Sequence, residues 1–173
     1  MARHILVFED SSYADFAPLS LTRPVYLMRA GIFPQYERIR RELRTDRLTL
    51  MCRTHLAPLV SEQVPDYPVN IVKRGAEDLL LVNGRIRDFG DLAERLKDER
   101  YTRGFEANGE LAAMLLKGEM LASLPAVAPH EDYLKFFAEV NESVPRHATT
   151  ATLYRYPWEF VEDIDKAVAR DFR

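Results

Sequence analysis

The sequence contains a single cysteine, Cys52, so no disulfide bond can form within the chain. This cysteine ends the apolar stretch at residues 48–52, and a thiol in such surroundings is usually a buried packing group. A lone thiol suits a reducing compartment. The first ten residues also lack the apolar run of a signal peptide. Together these absences predict a cytoplasmic protein.

Long apolar runs, an excess of positive charge and clustered histidines are also absent. No stretch approaches the roughly 18 to 20 apolar residues that cross a bilayer, so we expect no membrane partner. The net charge is −3, whereas domains that bind nucleic acid usually neutralise phosphates with a strongly basic face. The four histidines are far apart and match no ligand spacing, which argues against a structural metal site. Small ligands remain the expected partners.

The length and composition are those of one ordinary globular domain. With 173 residues, 47% of them apolar, the chain can bury a substantial core but is too short for two ordinary domains and a linker. Charged residues make up 29%, which is far from the composition of disordered chains. No internal repeat or low-complexity linker interrupts the sequence. We therefore expect residues 1–173 to form a single domain.

Segments of strand character alternate with segments of helical character in the first half of the chain. This alternation is typical of a largely parallel sheet with helices on both faces. We therefore expect an α/β fold with a three-layer, mostly parallel, doubly wound Rossmann-like sheet. The predicted strands are residues 4–8, 48–52, 69–72 and 78–82, and the predicted helices are residues 34–44, residues 54–64 with Thr54 as the N-cap, and a helix capped by Asp88.

The residues around Asn108 and Gly109 give two conflicting signals. The Asn-Gly pair favours a tight turn between two strands, while the segment LAAMLL that follows favours a helix on its own propensity. We expect a β-hairpin near residues 100–117. Farther along, the apolar spacing predicts a helix after Pro129, and Pro157 is expected to begin a helix after a strand in ATLYRY.

Polar side chains follow the first predicted strand directly. Glu9, Asp10, Ser11 and Ser12 come at its carboxyl end, where open α/β sheets place their ligand crevices. An acidic pair at this place would bind a metal in a domain of the flavodoxin or phosphate-signalling type. That alternative requires matching residues at the ends of later strands, and the segment NGR after the fourth predicted strand supplies no obvious partner.

Four segments resemble motifs of sugar nucleotidyltransferases. Residues 16–31, FAPLSLTRPVYLMRAG, resemble a segment of sugar-1-phosphate nucleotidyltransferases that reads approximately LxPLTxxxPKPLxxVxG. The segments HILVFED, LLLVNGRIRDF and YPWE resemble further motifs of a short sugar nucleotidyltransferase family, in the right order. The N-terminal domains of that family are similar to the uridylyltransferase domain of bifunctional N-acetylglucosamine-1-phosphate uridylyltransferase and to glucose-1-phosphate nucleotidyltransferases. The four segments span nearly the whole chain.

This resemblance implies a nucleotidyltransferase fold and a transfer reaction. The substrates would be a nucleoside triphosphate and a sugar 1-phosphate, the products a nucleotide-sugar and pyrophosphate, and the cofactor Mg²⁺. In relatives the domain is commonly followed by a left-handed β-helix of hexapeptide repeats. The resemblance therefore implies a possible homo-oligomer, which would be a trimer if such a β-helix follows this domain. The alternative is a non-catalytic relative that binds a nucleotide or sugar phosphate, or that supports assembly of an attached hexapeptide-repeat acyltransferase.

Three regions depart from the pattern of the better-studied relatives. Ser11, Ser12 and Tyr13 stand in place of a glycine-rich loop, Val25 stands in place of a lysine, and Arg85 stands in place of an aspartate. Backbone amides approach phosphate closely only where side chains are absent, and a valine cannot neutralise a phosphate. The resemblance therefore implies degenerate catalytic motifs.

The candidate site residues combine the resemblance with the chemistry of the side chains that are present. Arg23 and Arg29 could hold phosphates in place of the lysine, whereas in the alternative Arg23 pairs with Asp10 and braces the loop. Asn83–Gly84 could form a pocket wall or a plain turn, and Lys73 could contact phosphate or be a solvated charge. The expected roles are catalysis for Arg23 and Arg29, substrate or nucleotide binding for Ser11, Ser12, Thr22, Lys73, Asn83 and Gly84, and metal binding for Asp10 and Asp88, with Glu9 as a further carboxylate.

Overall fold

A computed structural model of the chain describes residues 3–72 and 78–172. None of the helices in these residues is long and apolar enough to cross a membrane. The strands are β1 (His4–Phe8), β2 (Leu48–Met51), β3 (Asp78–Asn83), β4 (Ile86–Asp88), β5 (Arg103–Ala107), β6 (Glu110–Lys117), β7 (Arg146–Ala148) and β8 (Thr152–Leu153). The α-helices are α1 (Gln35–Glu42), α2 (Ala57–Gln63), α3 (Leu92–Asp98), α4 (Gly118–Ser123), α5 (His130–Ser143), α6 (Pro157–Glu162) and α7 (Ile164–Asp171).

Six strands form the central sheet, in the order β2-β1-β3-β6-β5-β7. β1 lies between β2 and β3 and is parallel to both. β6 is antiparallel to β3 and to β5, while β7 is parallel to β5, so five of the six strands run in one direction. β4 and β8 form a separate antiparallel pair. The expected mostly parallel α/β fold is confirmed.

Helices cover both faces of the sheet because successive residues of a strand point to opposite sides. Val7 of β1 belongs to an apolar cluster with Ile39 of α1 and residues of α2 and α3. Phe8 points the other way and packs edge to face on Phe137 of α5, with ring centroids 5.3 Å apart. Both faces of β1 are therefore buried, which explains why its sequence is a continuous apolar run.

A third apolar cluster fixes the loop that follows β1. Phe16 and Val25 from this loop are buried together with Tyr154, Phe160 and Ala167. The rings of Phe16 and Phe160 meet edge to face at 6.1 Å, and Phe160 stacks on Tyr154 at 3.9 Å. The loop is therefore packed against α6 and α7 at the carboxyl end of the sheet.

The predicted hairpin and the main predicted helices are confirmed. β5 and β6 pair across a turn in which Asn108 and Gly109 have φ values of 52° and 82°, so LAAMLL is a strand. The left-handed φ values that such a turn needs are available to Asn and Gly at low cost, and this local requirement overrides helix propensity. α1, α5 and the start of α6 at Pro157 lie where the periodicity predicts them.

The predicted strand at residues 69–72 is wrong. Val69 forms only an isolated parallel bridge to Leu50, and residues 69–72 belong to none of the named strands. Asn70 has a φ of 54° and turns the chain, while its side-chain amide exchanges two 2.9 Å hydrogen bonds with the backbone of Cys52. A side chain that bonds a neighbouring backbone in this way competes with ladder pairing.

Two further boundaries differ from the sequence predictions. Asp88 does not cap a helix: it ends β4, accepts a 2.9 Å hydrogen bond from the Gly90 amide, and α3 begins only at Leu92. The strand expected in ATLYRY is limited to Thr152–Leu153, and one further backbone hydrogen bond follows it, from the Tyr154 amide to the Arg85 carbonyl oxygen. Strands of two or three residues are too short to show the alternation of apolar and polar residues from which a strand is predicted.

Candidate functional site

The polar residues after β1, β2 and β3 lie at one edge of the sheet. Phe8 at the end of β1 is in register with Met51 of β2 and with Asn83 of β3. The carboxyl ends of neighbouring parallel strands therefore meet, which is where α/β sheets form ligand crevices. We call this region the carboxyl edge, and its polar members are Glu9, Asp10, Arg53, Asn83 and Arg85, joined by Glu110 at the start of β6.

Arg85 lies at the centre of this edge and is 2% exposed. Its Nε donates to both carboxylate oxygens of Asp10, at 2.9 and 3.0 Å, and its Nη2 donates to Asp10 Oδ2 at 2.6 Å. Nη2 also donates to the carboxylate of Glu110, and Nη1 donates to the carbonyl oxygen of Tyr154 at 2.7 Å. Burial alone would lower the pKa of Arg85, but the hydrogen bonds and negative charges of Asp10 and Glu110 raise it above its ordinary value. The guanidinium is a permanent cation, and each of its three nitrogen atoms donates to an oxygen atom of the protein.

The carboxylate of Asp10 is correspondingly occupied. Besides Arg85, it accepts a 2.8 Å hydrogen bond from the side-chain amide of Asn83 and a 3.2 Å hydrogen bond from the Ser12 backbone amide. The second of these caps the short 3₁₀ helix Ser11–Phe16. The arginine that braces Asp10 is therefore Arg85 and not Arg23, the partner that the sequence alternative considered.

A second buried ion pair joins β1 to β2. Arg53 donates to both carboxylate oxygens of Glu9, at 3.0 and 3.2 Å, and to the carbonyl oxygen of Ser20 in the loop after β1. Its guanidinium also lies 4.0 Å from the ring centroid of Tyr13. The backbone carbonyl of Glu9 is 2.7 Å from Nε2 of His130 at the start of α5. This network ties the loop after β1 to the sheet.

The exposed side of the same loop carries several of the predicted ligand-binding residues. Ser11, Thr22 and Arg23 are exposed, and Ser12 is half-buried. The side chain of Arg23 makes no hydrogen bond or ion pair with the residues that the structure describes. Val25, which stands where relatives have a lysine, is 1% exposed and belongs to the apolar cluster under the loop.

Arg29 lies farther along the chain and makes one local contact. Its Nη1 donates to the Ile32 carbonyl oxygen at 3.4 Å, and the side chain is exposed. The structure thus brings Arg29 to the surface, near Tyr36, and none of the described acidic side chains forms an ion pair with it. Lys73, which the sequence predicts as a phosphate contact, lies outside the described residues.

Asn83 and Gly84 are buried, and their hydrogen bonds hold the carboxyl edge together. The Asn83 amide also donates to the Leu111 carbonyl oxygen at 3.0 Å, and its oxygen accepts from the Arg85 backbone amide at 2.9 Å. The Gly84 amide donates to the Phe8 carbonyl oxygen at 2.8 Å. A Cβ at Gly84 would lie 2.9 Å from Cβ of Tyr26 and 3.1 Å from that carbonyl oxygen, so only glycine fits.

Asp88 lies in a different network, beside a cleft of about 660 Å³. Its carboxylate accepts from Arg170 at 3.2 Å. The buried carboxylate of Asp163 in turn accepts from Arg170 at 2.7 Å and from Arg87 at 3.3 Å, so these arginines are paired within the fold. The cleft is lined by Arg87, Asp88, Thr150, Thr152, Asp163, Lys166, Ala169 and Arg170.

The residues present do not fit the Mg²⁺ ion that the resemblance implies. Asp10 is neutralised by Arg85, and Asp88 belongs to the separate network around Arg170. Within residues 3–72 and 78–172, no group of three or more His, Cys, Asp or Glu side chains could hold a metal ion. Magnesium binds through carboxylate oxygens, so a site in which arginines already pair with the carboxylates provides few ligands for the ion.

Sequence reasoning found the carboxyl edge but missed how its charges pair. Arg85 stood out only as a departure from the family pattern, and Arg53 and Glu110 gave no signal. Both are single charged residues at strand ends, and Glu110 enters from the hairpin 100 residues from Asp10 along the chain. Pairing across such separations depends on sheet order, which the local sequence does not encode.

The comparison with known families agrees with this architecture. The profile of sugar nucleotidyl transferases matches residues 5–173. The chain belongs to the sugar nucleotidyl transferase family. This match confirms the resemblance carried by residues 16–31 and the three further segments, and it extends over nearly all of the sequence.

A solved structure shares the fold of this nucleotidyl transferase domain. It is a crystal structure assigned as a glucose-1-phosphate thymidylyltransferase from Bacillus anthracis, in complex with sucrose. It superposes with a TM-score of 0.55 at 10% sequence identity, covering 98% of this chain and 95% of that chain. At this identity the likeness shows the fold alone. No curated protein matches the sequence.

Proposed function

We propose that this sugar nucleotidyl transferase domain binds a nucleoside triphosphate or a sugar 1-phosphate at the carboxyl edge, with little or no transfer of the nucleotidyl group. The observation that carries the proposal is the full engagement of Asp10 by Arg85. Nucleotidyl transfer develops charge that a metal ion or free cations must neutralise. A carboxylate already bound to an internal arginine is a poor metal ligand.

The exposed face of the loop after β1 supports phosphate binding. Arg23 has no competing partner among the described residues, and Ser11 and Thr22 present hydroxyl groups on the same loop. An arginine can bind two phosphate oxygens at once, and hydroxyl groups can donate to the others. The buried pairs beneath the loop fix its course, so little order has to be gained on binding.

The cleft beside α7 is a weaker candidate for the same ligand. Its two arginines are already paired with Asp163, so a phosphate could bind them only by displacing an existing ion pair, and Lys166 is the lining cation outside those pairs. The loop after β1 presents an arginine free of that cost. A cytoplasmic location, where nucleoside triphosphates and sugar phosphates occur, is part of the same proposal.

Calorimetric titration with UTP, dTTP and glucose 1-phosphate, with and without Mg²⁺, tests binding, and a pyrophosphate-release assay tests turnover. We expect saturable binding of at least one of these ligands and no pyrophosphate release above background. Arg23→Ala should weaken binding about tenfold, the effect of losing about 1.4 kcal/mol. Arg100→Ala, which removes an exposed charge on a different part of the surface, should leave the affinity unchanged. Binding by none of the three ligands, or efficient turnover, would contradict the proposal.

Active sugar-1-phosphate nucleotidyl transfer is the second candidate function. It is favoured by the family match over residues 5–173 and by the intact central sheet. In that case the exposed Arg23 and Arg29 would have to stabilise the leaving pyrophosphate. Pyrophosphate release that depends on both substrates and falls in Arg23→Ala would establish this candidate.

A further inference from the structure

Two carboxylates from distant parts of the chain converge on one nitrogen atom of Arg85. Asp10 follows β1 and Glu110 begins β6, and both accept from Nη2 of the buried guanidinium. The carbonyl oxygen of Tyr154 accepts from Nη1, and the Asn83 side chain orients Asp10 from the other side. The guanidinium is thus surrounded by oxygen atoms, as a bound cation is.

This oxygen-rich surrounding is stable only with a positive charge inside it. Two carboxylates held around one point repel each other unless a cation lies between them. Carboxylate and carbonyl oxygens are also the ligands that hard divalent cations prefer. The chain meets this need with a side chain of its own, and that side chain is 2% exposed.

We infer that Arg85 is a built-in counter-ion that occupies the place of a divalent cation, so that the carboxyl edge is complete without metal. Removal of the guanidinium leaves Asp10 and Glu110 facing a space that a divalent cation can enter. Glu110 then keeps only Arg155, whose exposed guanidinium lies 3.5 Å from its Oε1. The wild-type protein is therefore expected to be indifferent to divalent metal, and Arg85→Ala is expected to acquire a metal site.

Manganese titrations of the ligand-free protein test this inference, with free Mn²⁺ counted by electron paramagnetic resonance and stability followed by thermal unfolding. The wild type should show no saturable Mn²⁺ binding and no change in Tm. Arg85→Ala should bind one Mn²⁺ per chain, at least about tenfold more tightly than the wild type, and its Tm should rise with Mn²⁺ concentration because the ion binds the folded state. The titrations contain no nucleotide or sugar phosphate, so their outcome is separate from that of the binding experiment.

Two matched variants separate a created site from general charge effects. Arg53→Ala also deletes a buried arginine, but it leaves only the single carboxylate of Glu9 and should gain no Mn²⁺ binding. The double variant Arg85→Ala with Glu110→Gln should lose the gain, because one carboxylate is then neutral. Gain of binding in both single variants would overturn the inference.

The remaining outcomes are also decisive. Wild-type Mn²⁺ binding that disappears in Asp10→Asn would overturn the inference, as would a folded Arg85→Ala that binds no Mn²⁺. If Arg85→Ala is unfolded without metal, recovery of its far-ultraviolet circular dichroism on addition of Mn²⁺ supports the inference. Failure to recover would overturn it.

Discussion

The charged residues at the carboxyl edge form ion pairs mainly with one another. Arg85 holds Asp10 and Glu110, and Arg53 holds Glu9, and both arginines are buried. Removing one partner of such a pair leaves an uncompensated charge in a poorly hydrated place, which costs far more than the pair itself contributes. The edge is therefore sensitive to single substitutions, although its three carboxylates and two arginines nearly balance in charge.

Arg53→Ala should lower the free energy of unfolding by about 3 to 5 kcal/mol, the range for breaking a buried pair. The carboxylate of Glu9, 2% exposed, would be left without its partner, and the ring of Tyr13 would lose the guanidinium beneath it. Urea denaturation measures the change. Lys135→Ala, which breaks an exposed pair with Asp132, should change stability by no more than about 0.5 kcal/mol. Equal effects of the two substitutions would contradict this account.

Cys52 gives the protein a pH-dependent stability on the alkaline side. Burial raises the pKa of its thiol to about 11 from an ordinary value of 9.0. Because the folded state holds the proton more tightly than the unfolded state, the stabilisation is fully present below about pH 9 and is lost as the pH rises through 11. Free energies of unfolding measured from pH 8 to 11 should fall, and less steeply in Cys52→Ala than in the wild type. Identical slopes would show that the thiol does not take part.

At the residue scale, the sequence predicts where a side chain lies better than it predicts which side chain it pairs with. The location of Asp10 at the carboxyl edge follows from its place after an apolar strand, and the structure places it there, paired with Arg85. The sequence alone left open whether Asp10 pairs with Arg23 or binds a metal. The actual partner is Arg85, because the register of β1 and β3 brings its Nη2 to 2.6 Å from Asp10 Oδ2. The functional roles of Arg23, Arg29, Ser11 and Thr22 stay predictions.

At the scale of elements, the loop after β1 is the segment on which the proposed function depends. Its buried side is apolar at Phe16 and Val25, and its exposed side carries Arg23. The resemblance implies a glycine-rich turn at this place in better-studied relatives, whereas this loop forms short 3₁₀ helices. Backbone amides are therefore less accessible to phosphate, and side chains have to supply the contacts.

The β5–β6 hairpin offers a test of the local turn chemistry. Gly109 has a φ of 82°, so Gly109→Ala should cost about 1 kcal/mol in the free energy of unfolding, because an L side chain is strained there. Asn108→Gly at the preceding turn position, with a φ of 52°, should be close to neutral. Urea denaturation of both variants compares them directly. A larger loss from Asn108→Gly than from Gly109→Ala would contradict the assignment of the turn.

Elements with strong local signals could be predicted, and elements held by tertiary contacts could not. α5 shows its apolar residues at helical spacing, and the hairpin shows Asn-Gly, so both lie where expected. Residues 69–72 look like a strand by composition, but Asn70 bonds the backbone of Cys52 and ends the pairing. β4 is three residues long and pairs with β8, more than sixty residues later, which leaves no local pattern.

At the scale of the whole molecule, three apolar clusters explain how the edge is held. Two cover the faces of the sheet, and the third lies under the loop after β1 and against α6 and α7. The family match places the domain among sugar nucleotidyl transferases, and the solved thymidylyltransferase structure shares its fold. That the whole chain forms one domain stays a prediction from its length.

Hydrogen–deuterium exchange with and without the tightest-binding phosphate ligand tests the central claim most directly, because it locates the binding surface on the intact protein. The account predicts slower exchange in peptides that cover residues 11–29, next to the carboxyl edge, and unchanged exchange in residues 163–171 beside the α7 cleft. Protection confined to residues 163–171, with none in residues 11–29, would contradict it.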